Sequence, residues 1–273
     1  MDHYDRTAVE ASHAVLIDAL TVLGRYAGHL VIIGGWVPEL TFPGKGHIGS
    51  LDVDLAIDAN RIGIDNAYTT IRNLLLTAGY RTTDLPNRFA RTVTSGGKVF
   101  PVTLDLVTGD RDAADPNRPR QVQEMPLANL RGVDLAFDFV CPLEITGTLP
   151  EGGRNTIQAQ ICDARAFLCM KGIALHERKK EKDAYDIYFI LRQYPGGPAA
   201  LAEAFRPVLA HPLVDEGLRK LRSKFSTVDD IGPVWAAKIE EEQGGDREFV
   251  QRDAFERADV LLRALKVRPW SNA

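Results

Sequence analysis

The segment from Leu51 to Ile57 constrains the fold more than any other part of this sequence. Its residues alternate strictly, with Leu51, Val53, Leu55 and Ile57 on one side and Asp52, Asp54 and Ala56 on the other. Such a period of two is typical of a β-strand with one apolar face. Because residues i and i+2 of a strand share a face, Asp52 and Asp54 are predicted to lie side by side.

The chemistry of these two acids indicates a cation site. Neighbouring carboxylates repel each other unless a cation lies between them or both reach solvent. Mg²⁺ is commonly held by one or two carboxylates together with waters and substrate phosphates. Asp52 and Asp54 therefore predict a divalent-cation site, although a solvated sheet edge would also explain them. Asp105 lies in another β-branched, apolar run, where a buried carboxylate needs a metal, a base or a hydrogen-bond donor.

A pair of glycines, Gly34 and Gly35, follows the apolar run Leu30-Val31-Ile32-Ile33, which predicts a buried strand. A short helix is expected from Trp36 to Leu40. Glycine lets a ligand approach the backbone closely, and a helix N-terminus offers N–H groups to a phosphate. The pair is consistent with a phosphate site and equally with a plain tight turn.

Hydrophobic periodicity predicts an α+β fold in two parts, divided at residues 150/151. The first part has helices over 7–27 and 64–78, strands over 88–93 and 99–107 joined by a hairpin turn, and strand-like sequence up to about 145. These elements predict a mixed sheet flanked by helices. Residues 151–273 predict a helical domain, with helices over 158–178, 183–193, 198–210, 213–224, 232–242 and 248–266.

Composition narrows the possible environments and partners. The net charge of the 273 residues is −4, so any site for a polyanion must be a local patch. Three cysteines without a C-x-x-C pair predict reduced thiols rather than zinc ligands: Cys141, Cys162 and Cys169. No secretory signal is apparent, and the apolar run near the start is shorter than the about 20 residues that span a bilayer. We expect a cytoplasmic protein without a membrane partner.

A charged segment in the second half allows two interpretations. Its cations are spaced seven and four residues apart: Lys171, Arg178 and Lys182. On one continuous helix they would form a cationic stripe for a triphosphate or an RNA backbone. Alternatively the helix breaks near Lys180 and Asp183 caps the next one. Lys171 lies in apolar surroundings and needs an anionic partner. Without any functional role, the segment would be a run of solvated charges that contains an ion pair between Lys182 and Asp186.

The glycine pair, the Leu-Asp-Val-Asp-Leu strand and the later Asp together resemble the DNA polymerase β-like nucleotidyltransferase superfamily. In that superfamily three carboxylates hold two metal ions, one at the attacking hydroxyl and one at the triphosphate. The resemblance implies that Asp52 and Asp54 bind Mg²⁺. It implies that Asp105 binds metal and helps to deprotonate the acceptor, and that Gly34 and Gly35 bind phosphate.

Two features depart from the superfamily pattern. Sixteen residues separate Gly35 from Asp52, slightly more than usual, and the extra length falls in the glycine-rich loop 41–50. Trp36 stands where the superfamily often has a serine. Ser50, two residues before Asp52, is expected to supply the hydroxyl at the nucleotide site, unless none is needed.

The charged segment resembles a signature of the AbiEii-like nucleotidyltransferases, Lys-x-x-Ala-Leu-x-x-Arg-x-x-x-Lys-Asp-x-Tyr-Asp. These are toxins of type IV-like toxin–antitoxin and phage-abortive systems. The resemblance implies that 1–150 is the catalytic domain and that 151–273 contributes a Lys/Asp motif. In that motif Lys171 would contact nucleotide phosphates, with Arg178 and Lys182 nearby. A catalytic acid would be Asp183 or Asp186, and we favour Asp186.

The same resemblance implies a magnesium-dependent enzyme with NTP as substrate and two Mg²⁺ ions. It implies transfer of an NMP to an RNA acceptor, such as the 3′ end of tRNA, and a cognate protein antitoxin as partner. Two alternatives remain open. One is an antibiotic-type enzyme acting on a small molecule, which the basic 171–182 segment disfavours. The other is a non-catalytic nucleotide-binding partner, which would not need three acids.

Overall fold

A computed structural model describes residues 5–62, 69–110, 120–122 and 125–271, with the backbone alone at 69, 70 and 120–122. The chain forms two compact units, Met1–Asp163 and Ala164–Ala273. The predicted division at 150/151 falls instead in a hairpin turn between two paired strands. The strand that follows this turn belongs to the sheet of the first unit, which is why the division lies later in the chain.

The first unit combines helices with a mixed sheet. The described helices are α1 (Arg6–Val22), α2 (Val37–Thr41), α3 (Ala59–Ile62), α4 (Thr69–Thr77) and α5 (Leu135–Asp138). The described strands are β1 (Leu30–Ile33), β2 (Asp52–Ile57), β3 (Arg81–Thr82), β4 (Arg88–Ser95), β5 (Lys98–Thr108), β6 (Arg120–Val122), β7 (Met125–Asn129), β8 (Val140–Thr148) and β9 (Arg154–Cys162). Short 3-10 helices span Gly24–His29 and Gly34–Trp36.

Strand order positions the predicted carboxylates in the middle of the sheet. The order is β3-β4-β5-β2-β1-β9-β8, and β7 pairs with the end of β5 and with β6. Strand β2 runs parallel to β5 and antiparallel to β1. Val53 and Leu55 are fully buried, while Asp52 and Asp54 on the opposite face are partly exposed. The alternation predicted for this strand is therefore confirmed.

Most elements of the first unit follow the predicted pattern. The hairpin turn between β4 and β5 is confirmed, with Ser95 opposite Lys98. Helix α1 ends at Val22 rather than at residue 27, and the chain then continues as a 3-10 helix that contains Gly24 and Gly28. Glycine weakens an α-helix, which explains the early end. Of the predicted helix 64–78, the structure describes Thr69–Thr77 as helical, and 63–68 lie outside the described residues.

The second unit contains the helices α6 (Ala164–Glu177), α7 (Glu181–Gln193), α8 (Gly197–Phe205), α9 (Pro212–Arg222), α10 (Ile231–Glu242) and α11 (Arg247–Ala264). The predicted helix over 158–178 was wrong in its first part, because Arg154–Cys162 is a strand paired with β8. The other five predicted helices are present, four of them within two residues at each end, and the predicted helix 198–210 ends at Phe205 and continues as a 3-10 helix over Arg206–Val208. Cys162 and Cys169 are buried in apolar surroundings, and Cys141 is exposed. No helix among the described residues is both long and apolar enough to cross a membrane.

Candidate active site

Three adjacent strands place charged side chains in one row across the sheet. Asp54 of β2 lies opposite Asp105 of β5, and Asp105 in turn lies opposite Arg88 of β4. Register partners point to the same face, and neighbouring strands are about 4.8 Å apart. Asp52 lies on the same face as Asp54, two residues earlier. The structure therefore brings the three predicted acids together.

Ser50 is attached to this row through Asp52. Its hydroxyl donates a hydrogen bond of 2.6 Å to Oδ1 of Asp52. Ser50 is almost completely buried, with 1% of its surface exposed, so the hydroxyl is held in place. The serine expected from the sequence thus lies at the site, where it orients a carboxylate. Its contact with a nucleotide stays a prediction.

Gly34 packs directly against Asp54. Its φ of 69° lies in the left-handed region, and a Cβ at this position would overlap the Asp54 carboxylate. Only glycine fits without strain and without displacing that side chain. Gly35 is buried in the 3-10 turn that follows. The glycine pair therefore has a structural reason in the described structure, and its phosphate role stays a prediction.

Arg88 makes a two-pronged ion pair with Asp105. Its Nε donates to Oδ1 at 2.6 Å and its Nη2 donates to Oδ2 at 2.7 Å. The hydrogen bond to Asp105 raises the pKa of the Arg88 guanidinium, and the charges of Asp105, Asp52 and Asp54 raise it further. The negative charges of all three acids therefore act on the Arg88 guanidinium.

From the sequence, Arg88 and Arg91 could equally be phosphate clamps or plain surface positions of a strand, and the pairing of Arg88 with Asp105 was not predicted, although the sequence contains the signal. In an antiparallel hairpin, moving away from the turn by the same number of residues on each strand keeps residues opposite each other. If Ser95 lies opposite Lys98, this count places Arg88 opposite Asp105. The hairpin prediction alone would therefore have paired this cation with the acid.

The donor set fits a metal ion only in part. Among the described residues, no three or more His, Cys, Asp or Glu side chains are arranged to hold a metal ion. Both oxygens of Asp105 face the Arg88 guanidinium. Asp52 and Asp54 nevertheless match Mg²⁺ chemistry, because Mg²⁺ often takes only one or two protein carboxylates and completes its shell with phosphate and water.

A cavity of about 910 Å³ lies in the first unit, and the loop before β2 forms part of its lining. His13, Trp36, His47 and Gly49 are among its lining residues, and the three carboxylates are not. The Trp36 indole donates to the Ser12 hydroxyl at 3.1 Å, which in turn donates to the Asp52 carbonyl at 3.4 Å. Trp36, which replaces the serine of the superfamily pattern, thus supports the start of β2 through Ser12.

In the second unit, the charged segment forms a buried ion network that joins α6 to α7. The Lys171 ammonium donates to Asp183 and to Asp186, each at 2.7 Å. Arg178 donates to both oxygens of Asp183 at 2.8 and 3.1 Å. Lys182 donates to Asp186 at 2.7 Å, which confirms the pair proposed from the i,i+4 spacing. Lys171 therefore has the anionic partners that its apolar surroundings require.

In this network, the neighbouring opposite charges shift the pKa of Lys171 and of Asp183 more strongly than burial does. Burial lowers the pKa of the Lys171 ammonium, but the charges of Asp183 and Asp186 raise it above its ordinary value. Burial likewise raises the pKa of Asp183, and the cations Lys171 and Arg178 bring it below its ordinary value. Both groups therefore stay charged at neutral pH.

The alternative with a helix break is confirmed. Helix α6 ends at Glu177, α7 begins at Glu181, and Lys180 occupies the N-cap position. The suggestion that Asp183 caps the second helix was wrong, because its carboxylate accepts from Lys171 and Arg178. The phosphate roles of Lys171, Arg178 and Lys182 and the catalytic role of Asp186 stay predictions.

Comparisons with known proteins found a matching family and a similar solved structure. The model of a family described as "Nucleotidyl transferase AbiEii toxin, Type IV TA system" matches residues 50–260. The crystal structure of a candidate nucleotidyltransferase from H. pylori is similar, with 14% identity, a TM-score of 0.47, and coverage of 96% of this chain and 97% of that one. No curated protein matches this chain.

The acids on neighbouring strands beside a glycine turn, together with the family match, define a nucleotidyltransferase. The matched segment includes β2, β5 and the ion network of α6 and α7, and it extends over most of the chain. The protein belongs to the AbiEii family of nucleotidyltransferase toxins of type IV toxin–antitoxin systems.

Proposed function

We propose that this toxin transfers an NMP from an NTP to an RNA acceptor, the 3′ end of tRNA, in a magnesium-dependent reaction. The observation that carries the proposal is the row formed by Asp54 and Asp105 on paired strands, with Asp52 on the same face. Phosphoryl transfer needs little from a protein beyond positioning and compensation of charge. A row of carboxylates held by a rigid sheet provides both once divalent cations are present.

Each residue of the row has its own task in this proposal. Asp52, oriented by Ser50, and Asp54, held against Gly34, would be the Mg²⁺ ligands. Bound Mg²⁺ supplies compensation for the triphosphate charge and favours deprotonation of the attacking hydroxyl. Asp105 would bind metal as well and help to take the proton of the acceptor hydroxyl. The RNA is recognised by local cationic patches, since the net charge of the chain is −4.

The proposal places the reaction in the cytoplasm, where NTP, Mg²⁺ and tRNA occur together. A cognate antitoxin would be the partner that keeps the activity low. The AbiEii family match supports this partner, because the matched family is described as a toxin of a type IV toxin–antitoxin system.

A labelling experiment tests the proposed reaction. The protein is incubated with each α-labelled NTP, Mg²⁺ and total RNA, and Asp52→Asn is compared with Asp58→Asn. Asp58 follows the same strand, and its carboxylate pairs with Arg61 instead of joining the row. We expect label in tRNA with the wild type and Asp58→Asn, and a loss of at least about a hundredfold with Asp52→Asn.

Three results would contradict the proposal. Label on an added aminoglycoside but not on RNA would indicate a small-molecule enzyme. A Mg²⁺-dependent thermal shift with NTP, without any transfer, would indicate a binding protein. Equal activity of Asp52→Asn and the wild type would remove Asp52 from the site.

A further inference from the structure

We propose that Arg88 is an exchangeable cation of the active site. It neutralises Asp105 in the metal-free protein, and it releases Asp105 and turns to the NTP phosphates when the substrate enters with its cations. The inference rests on the proposed function, because it assumes that the acids bind metal. It assigns to Arg88 a role in the order of binding events that neither the sequence motifs nor the family match contains.

The geometry of the ion pair carries the first step. The two bonds of 2.6 and 2.7 Å use both carboxylate oxygens of Asp105, so a divalent cation that approaches them from the side of the guanidinium can bind only after Arg88 moves away. The guanidinium and a divalent cation therefore compete for the same two oxygens.

The charge balance carries the second step. Asp52, Asp54 and Asp105 carry three negative charges, and the charges of all three act on Arg88. Without metal the acids would repel one another, so a cation that remains close to them stabilises the row. When divalent cations replace that charge, the guanidinium is free for another anion. Its fork of N–H donors fits a phosphate as well as a carboxylate.

The third step depends on the exposure of Arg88, which leaves its side chain more freedom to move than that of Arg91 on the same strand. The side chain of Arg88 is 39% exposed, whereas that of Arg91 on the same strand is 11% exposed. Arg91 is fixed by Glu151, by the carbonyl of Ala78 and by the Tyr80 ring, which lies 5.6 Å from its guanidinium carbon. With more than a third of its side chain exposed, Arg88 can turn away without disturbing the core.

Binding of Mn²⁺, used as a probe for Mg²⁺, tests the inference without an activity measurement. Isothermal titration calorimetry compares the wild type with Arg88→Gln, Arg88→Lys and Arg61→Gln. Arg61 is a matched control, since it is exposed and pairs with Asp58 outside the row. Arg88→Lys keeps the charge but loses the fork, and it remains informative if Arg88→Gln folds poorly.

We expect Arg88→Gln to bind Mn²⁺ about tenfold more tightly than the wild type in the absence of NTP, because the competing ion pair is gone. Arg88→Lys should lie between the two, and Arg61→Gln should resemble the wild type. In the presence of Mn²⁺, Arg88→Gln should bind a non-hydrolysable NTP about tenfold more weakly, because a phosphate contact is lost.

Mn²⁺ affinity that is unchanged or weaker in both Arg88 variants would overturn the inference and make Arg88 a fixed structural partner. Unchanged NTP affinity in both variants would overturn the exchange onto phosphate. Failure of the proposed function has a different signature, because then the wild type would bind no Mn²⁺, or Asp52→Asn would bind it equally well.

Discussion

Single residues decide the chemistry of the carboxylate row. Gly34 approaches Asp54 so closely that any side chain at position 34 would collide with the carboxylate, and Ser50 holds Asp52 by a 2.6 Å bond. Neither residue needs to touch a substrate to matter, because each orients a carboxylate that we propose as a metal ligand. Positioning of this kind is sensitive to displacements of about 1 Å.

A glycine pair with matched backbone angles separates positioning from backbone strain. Gly34 and Gly44 have φ of 69° and 70°, but only Gly34 has neighbours where a Cβ would lie. Each Gly→Ala change should cost about 1 kcal/mol of stability through the left-handed φ. We expect Gly34→Ala to lose transfer activity by at least about a hundredfold as well, while Gly44→Ala stays active. Thermal melts and the labelling assay measure the two effects, and equal activity of the two variants would contradict the positioning role.

At the scale of elements, the ion network of α6 and α7 replaces apolar packing at a helix junction. Asp183 and Asp186 are completely buried, and Lys171 lies between them. Buried ions are costly unless they are paired, so the network stabilises the junction only while it is complete. The helix break at Lys180 allows the cation of one helix to reach the acids of the next.

Removal of Lys171 should therefore destabilise the protein strongly. We expect Lys171→Met to lower the free energy of unfolding by about 3 kcal/mol, because two buried carboxylates lose a shared partner. Lys238→Met is the matched control, since Lys238 also pairs with α7, at Glu181, but both side chains are about one-third exposed. Its cost should stay below about 1 kcal/mol. Urea unfolding measures both, and similar losses would show that the network contributes no more than a surface pair.

The same network should contribute to acid sensitivity. The pKa of Asp183 lies below its ordinary value of 3.8 in the folded protein. A lowered folded pKa means that its stabilisation is complete above the unfolded pKa and is lost as pH falls through the folded one. Below about pH 4, the wild type should thus lose stability more steeply than Asp183→Asn. Urea midpoints between pH 2.5 and pH 6 test this, and parallel curves would exclude a contribution from Asp183.

At the scale of the whole molecule, a net charge of −4 limits how RNA can be recognised. Carboxylates repel a polyanion, so binding of the proposed RNA acceptor would depend on local cations and on divalent metal. Membership in a toxin family of type IV systems adds a biological constraint, because an active enzyme must be restrained in the cell that makes it.

Expression in bacteria tests the toxin function of the intact chain. We expect induction of the wild type to arrest growth and induction of Asp52→Asn to leave growth unchanged, because the mutant lacks the proposed metal ligand. Asp58→Asn should arrest growth like the wild type. Colony counts and growth curves measure the effect, with equal protein levels verified by immunoblot. Growth arrest by Asp52→Asn would show that toxicity does not depend on the Asp52 carboxylate.

Sequence-based prediction succeeded where local pattern determines structure. The alternation of 51–57, the hairpin turn at Ser95–Lys98 and five of the six later helices follow from periodicity and turn residues. It failed at residues 158–162, which were predicted as the start of the following helix but form the end of a strand. A short segment of this kind has no helix or strand preference strong enough to override its tertiary neighbours.

The sequence by itself determined that Asp52 and Asp54 share a face of one strand, because strand geometry requires it. It also indicated that Lys171 needs an acid partner. Only the tertiary structure decided which acids those are, that Arg88 occupies both oxygens of Asp105, and that Gly34 touches Asp54. The physical reason is that periodicity is a property of neighbouring residues, whereas charge pairing depends on strand order, register and the positions of side chains far apart in the chain.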